Sequence, residues 1–106
     1  MLAHPASVDS IPTSGNKEDY VSMGMTAALK LRRILENATN VLAIEAVAAA
    51  QGIDFLAPLA PSAREQKAHA AIRAVCPKVE KHRSLAEDFA RVAQRITAGE
   101  VAAALR

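Results

Sequence analysis

The run V-S-M-G-M-T-A-A-L-K-L-R-R-I-L-E-N-A-T-N-V-L-A-I-E-A-V-A-A-A-Q-G, Val21 to Gly52, decides the fold. Val21, Met25, Ala28, Leu31, Leu35, Ala38, Leu42 and Ala49 recur at steps of three, four and seven, the spacing of one helix face. Asn16 stands where an N-cap is expected, and Glu18 and Asp19 put negative charge where a helix dipole favours it. Gly52 is a residue able to end a helix in the left-handed conformation. The pattern predicts one helix over 17–51, on the order of 50 Å long at ~1.5 Å per residue. No other stretch is long enough to partner it along its whole length, so the chain reads as a piece of something larger.

Outward from this run the chain is punctuated. Residues 1–16 carry Pro5, Pro12, Gly15 and several hydroxyls, and read as irregular chain. On the other side, Pro58 and Pro61 mark a loop. Ser62-Ala-Arg-Glu65 is a capping box that opens a short helix with Ala68, Ala71, Ile72 and Val75 on one side, closed by Cys76-Pro77. Lys78 to Arg83 is a charged connection. Ser84-Leu-Ala-Glu87 has the form of a second capping box, followed by Leu85, Phe89, Val92, Ala93 and Ile96 at helical spacing, with Gly99 as C-terminal cap. Glu100 to Arg106 adds further turns. No stretch alternates as a strand would, so the expected class is all-α: one long helix followed by two or three short ones over 52–106.

Composition agrees with this. The chain has 106 residues, 51% of them apolar, no Trp, and only Phe55, Phe89 and Tyr20 as aromatics. Ala-rich and aromatic-poor chains favour helix, and small side chains make a thin core that leans on neighbouring helices. The net charge is +2. Lys30, Arg32 and Arg33 form the one tight basic group, with no aromatic interleaved, which reads as a solvated helix face rather than a nucleic-acid surface. A single cysteine, Cys76, fits a reducing compartment, and a cytoplasmic protein is expected. The run Val41 to Ala50 is too short and too interrupted to span a bilayer.

His4, His69 and His82 are isolated from one another and from Cys76, so no metal site is expected. Cys76 has no activating base nearby in sequence and reads as a buried thiol. Glu18, read from the residues alone, is an ordinary partner of a helix dipole, although a carboxylate there also suits a cationic or N–H-bearing ligand.

The run L-A-H-P-A-S-V-D-S-I-P-T-S-G-N-K-E-D-Y-V-S-M-G, Leu2 to Gly24, resembles the late part of the histidine ammonia-lyase family, whose members show S-A-N-Q-E-D-H-V-S-M-G. The likeness continues through A-A-L-K-L, N-V-L-A-I-E and A-A-A-Q-G-I-D-F-L-A-P-L, and more weakly through A-I-R-A-V and the closing helices. It implies the C-terminal fifth of an aromatic amino acid ammonia-lyase, a fragment of a larger mainly helical fold. It further implies elimination of ammonia from histidine, phenylalanine or tyrosine, or an amino shift, on a methylidene-imidazolone group made from an internal Ala-Ser-Gly.

This chain holds no Ala-Ser-Gly; Ala6-Ser7-Val8 and Thr13-Ser14-Gly15 come nearest. The resemblance therefore implies that the prosthetic group and the catalytic tyrosines lie in other parts of the parent, and that the isolated chain is inert. It carries substrate binding onto Glu18, where the carboxylate favours an imidazole. Lys17 stands beside it where Gln is usual, and Tyr20 where His is usual. The resemblance implies homotetramers, so self-association or binding to a full-length lyase subunit is expected. The alternatives are a stand-alone helical interaction protein left as a remnant, a split enzyme, and part of a tyrosine or phenylalanine lyase or aminomutase.

Overall fold

In the computed structural model, which describes residues 2–106, the chain is helical: α1 Gly24–Phe55, α2 Ala63–Arg73, α3 Ala86–Thr97 and α4 Glu100–Ala104 follow a 3-10 turn at Ala6–Val8. No strand occurs among the described residues; one isolated antiparallel bridge joins Thr13 to Glu18. The chain divides into two units, Met1–Asn37 and Ala38–Arg106.

The long helix starts at Gly24 and ends at Phe55, not at 17 and 51. Ser14, Gly15 and Asn16 take positive φ and make a turn, so Asn16 caps nothing and no acidic residue lies in the first turn of α1. At the other end Gly52 stays helical, because the chain continues through Ile53, Asp54 and Phe55 before the proline loop. The apolar stripe also differs from the expected one. Within Ala38–Arg106, α1 turns Ala43, Val47 and Ala50 into the core, at helical steps of four and three. Leu42 from the expected stripe is half exposed, and Leu31 and Leu35 in the first unit are exposed as well. The small residues face the chain's own core because they let other elements approach closely; the larger ones are left outside.

In the second unit, Ala43, Val47 and Ala50 of α1 meet Ile72 of α2, Cys76, and Val92 and Ala93 of α3, with Phe89, Ile96 and Val101 packed around them. The short α4 lies against α2 and α3. Cys76 is fully buried, as read from sequence. The Ser62 capping box forms in full: the Ser62 Oγ accepts from the Glu65 N–H, and Glu65 Oε2 accepts from the Ser62 N–H at 2.9 Å. The second expected box does not form. Leu85 is the N-cap of α3 and makes no side-chain capping bond. Gly99 has φ of 76°, the left-handed residue that ends α3 and starts α4. No helix among the described residues is long and apolar enough to cross a membrane.

Candidate functional site

Lys17 and Glu18 sit in a tight turn of the first unit. Thr13 N–H donates to the Glu18 carbonyl at 2.6 Å and Glu18 N–H donates to the Thr13 carbonyl at 3.3 Å, which closes a loop over 14–17. Three consecutive positive φ values make this possible: 51° at Ser14, 64° at Gly15 and 67° at Asn16. Gly15 adopts this freely and Asn16 tolerates it, but a left-handed Ser costs roughly 1–2 kcal/mol. Ser10 Oγ donates to the Asp19 carbonyl at 2.6 Å and fixes the outgoing strand of the turn. The Glu18 carboxylate is exposed, and its Oε2 accepts from Ser14 Oγ at 3.4 Å. Lys17 makes no ion pair with Glu18 among the described residues. Tyr20, two residues on, is 96% exposed.

Two polar clusters in the second unit were not read from sequence. Asp54, in the last turn of α1, accepts from His69 Nε2 at 2.8 Å and from Arg73 Nη2 at 2.6 Å. His69, isolated in sequence, is thus a partner of Asp54 in the fold. Gln51 joins the same cluster: its Oε1 accepts from Arg73 and from the Val79 N–H, and its Nε2 donates to the Val79 carbonyl. The signal was an i,i+4 His–Arg pair on α2 facing an acidic residue at the end of the preceding helix. Asp88 is 1% exposed and is held by Arg83 and Arg91. Its signal was the i,i+3 spacing to Arg91.

Burial pushes both carboxyls up, but the hydrogen bonds and charges of His69 and Arg73 outweigh it at Asp54, and those of Arg83 and Arg91 at Asp88. Both carboxyls end below the usual range. These clusters tie elements together: Arg73 donates to the Cys76 carbonyl, Arg91 to that of Val75 and Arg83 to that of Pro77, so the connection after α2 is fastened along its length. No group of three metal-ligating side chains occurs among the described residues.

The residues present do not fit a methylidene-imidazolone. Ser7 lies in a 3-10 turn beside Val8, and the Ala6 carbonyl accepts from Asp9 N–H at 3.2 Å. Ser14 follows Thr13, whose carbonyl is committed to the bridge with Glu18. Neither serine has the Ala and Gly on its two sides that such a group is made from.

The Glu18 carboxylate thus stands exposed on a bridged, left-handed turn ahead of α1. The family model for aromatic amino acid lyase matches residues 1–74, and the chain belongs to that family. It is 61% identical over all 106 residues to the histidine ammonia-lyase of Koribacter versatilis and 50% identical over 105 residues to that of Sorangium cellulosum. In both cases it covers 20% of the relative. Among solved structures it matches histidine ammonia-lyase from Trypanosoma cruzi with a TM-score of 0.89 and 38% identity, over 98% of this chain and 21% of that one. It matches tyrosine aminomutase from Streptomyces globisporus with a TM-score of 0.87 and 35% identity, over 95% of this chain and 19% of that one. The chain thus spans about a fifth of the length of the relatives it matches.

Proposed function

We propose that the chain is the C-terminal portion of a histidine-type ammonia-lyase subunit, and that it serves elimination of ammonia from histidine by supplying Glu18 to the substrate's side-chain pocket. The observation that carries this is the 61% identity along the whole chain to a histidine ammonia-lyase. The carboxylate supports the choice of histidine over phenylalanine: it accepts from an imidazole N–H, and a charge-assisted bond is roughly twice as strong as a neutral one. Lys17 borders the same pocket and competes for Glu18 through its ammonium. The reading as part of a tyrosine aminomutase is favoured only by the structural match at 35% identity.

The isolated chain is inert in this reading, since it has no residues to build the prosthetic group. Its partners are further copies of itself or the rest of a lyase subunit. Leu29, Leu31, Ile34 and Leu35 in the first unit, and Val41, Leu42, Ile44, Phe55, Leu56 and Leu59 in the second, are exposed large apolar side chains. Exposed apolar patches beyond a few hundred Å² normally mark contact surfaces (roughly 300–600 Å² is the largest on an ordinary monomer). The assembled protein acts in the cytoplasm.

The test is a graft: the full-length lyase of the Koribacter versatilis type with its matching fifth replaced by this chain. Expected is turnover of histidine, and a Glu18→Gln graft with kcat/KM for histidine down at least about tenfold, or ~1.4 kcal/mol, with little change in melting temperature. Equal turnover by the Glu and Gln grafts would return Glu18 to a purely structural role. Lys17→Gln in the same graft is expected to raise activity.

A further inference from the structure

The backbone of Glu18 is held on several sides. Its N–H and carbonyl are both paired with Thr13, and the next carbonyl, of Asp19, is fixed by Ser10. The carboxylate is held differently: among the described residues, its one hydrogen-bond contact is the Ser14 hydroxyl, 3.4 Å from Oε2. That contact is long for an O–H···O bond, as such bonds commonly are before a ligand tightens the site. Ser14 makes this contact with φ of 51°, a conformation that Gly or Asn would adopt more readily. The left-handed run that closes the turn therefore also sets the Ser14 hydroxyl beside Oε2, and no hydrogen bond to Oε1 occurs among the described residues.

We propose that Ser14 is a positioning residue, and through it the specificity determinant of the Glu18 site: its hydroxyl fixes the carboxylate rotamer so that the other oxygen meets the N–H of a substrate's imidazole. This rests on the reading of Glu18 as substrate-facing. A phenyl side chain offers no donor in that place, and so a phenylalanine-type substrate depends on Ser14 less.

The experiment uses the full-length graft with Ser14→Gly and Ser14→Asn, assayed with histidine and with phenylalanine, alongside melting temperatures. Gly removes the donor but relieves the left-handed strain, so the fold is kept. Asn keeps an N–H donor and tolerates positive φ. Expected for Ser14→Gly is a KM for histidine raised about tenfold, the order of one hydrogen bond to a charged group, with kcat and melting temperature held. Expected for Ser14→Asn is a KM close to that of the Ser14 graft. Any turnover of phenylalanine should be unchanged by either substitution.

An unchanged KM for histidine in Ser14→Gly overturns the proposal and leaves the Glu18 reading standing. So does an Asn variant as impaired as the Gly one, or a uniform loss on both substrates together with a lowered melting temperature. A Glu18→Gln graft indistinguishable from the Glu18 graft overturns the underlying reading, and the Ser14 proposal with it.

Discussion

At the scale of single residues, the charged side chains divide into those that bind the chain together and those left exposed, Glu18 among the latter. Asp54 and Asp88 are of the first kind. Asp88→Ala leaves two guanidinium groups without their acceptor at a fully buried position, and a loss of about 2–3 kcal/mol is expected, somewhat below the usual value for a buried pair. Arg83 and Arg91 are 38% and 46% exposed, so water takes up part of the lost pairing. Urea unfolding checks this, and an Ala variant as stable as the parent would contradict it. The same two groups set an acid limb. Their carboxyls are lowered in the folded state, so the unfolded chain binds more protons as pH falls. Their stabilisation is full above the ordinary carboxylate range, near about pH 4. It is lost as pH drops through their lowered folded values. Urea midpoints should therefore hold between neutral and mildly acid pH and fall steeply below that range, and Asp54→Asn should flatten the fall. Glu18 was legible as a candidate from its neighbours in sequence, but its setting was not. Ser14-Gly15-Asn16 are turn formers and helix cappers alike, and only the bridge from Thr13 to Glu18 decides for the turn.

Among the elements, the two serine-led boxes separate what a local pattern fixes from what it does not. Ser62 caps α2 reciprocally with Glu65, whereas Ser84 stands one residue ahead of Leu85, the N-cap that α3 uses. Ser62→Ala should lower stability by about 1 kcal/mol and Ser84→Ala by almost nothing. Equal effects in urea titrations would show that the difference in capping is not real. The second box fails by one residue. α3 begins at Ala86, which puts Glu87 at the second helical position rather than the third, where a capping box needs it. The glycines divide similarly. Gly52 is helical, with nothing within 4 Å of an added Cβ, so Gly52→Ala should stabilise by about 0.5–1 kcal/mol. Gly99 has equal space but a left-handed φ, and Ala there should destabilise by about 1 kcal/mol or more. Sequence punctuation alone treats both as stops, because it does not see that Asp54, two residues past Gly52, pairs with His69 and Arg73 of α2.

For the molecule as a whole, the helical class and the long helix were legible, because Ala, Leu and Val at helical steps leave no other choice. Which face of that helix points inward was not legible. Small and large apolar residues interleave along it, and the core within this chain takes the small ones, Ala43, Val47 and Ala50. Leu29, Leu31 and Val41 are left exposed. In sedimentation, the isolated chain is expected to associate at micromolar concentration, and a well-folded monomer throughout would count against this. The same property gives the direct test of the central claim. A histidine ammonia-lyase lacking the matching fifth is co-expressed with this chain, with urocanate release followed from histidine. Release is expected only when both chains are present, and it should fall with Glu18→Gln. No release, under conditions where the relative's own missing fifth restores activity, would contradict the account.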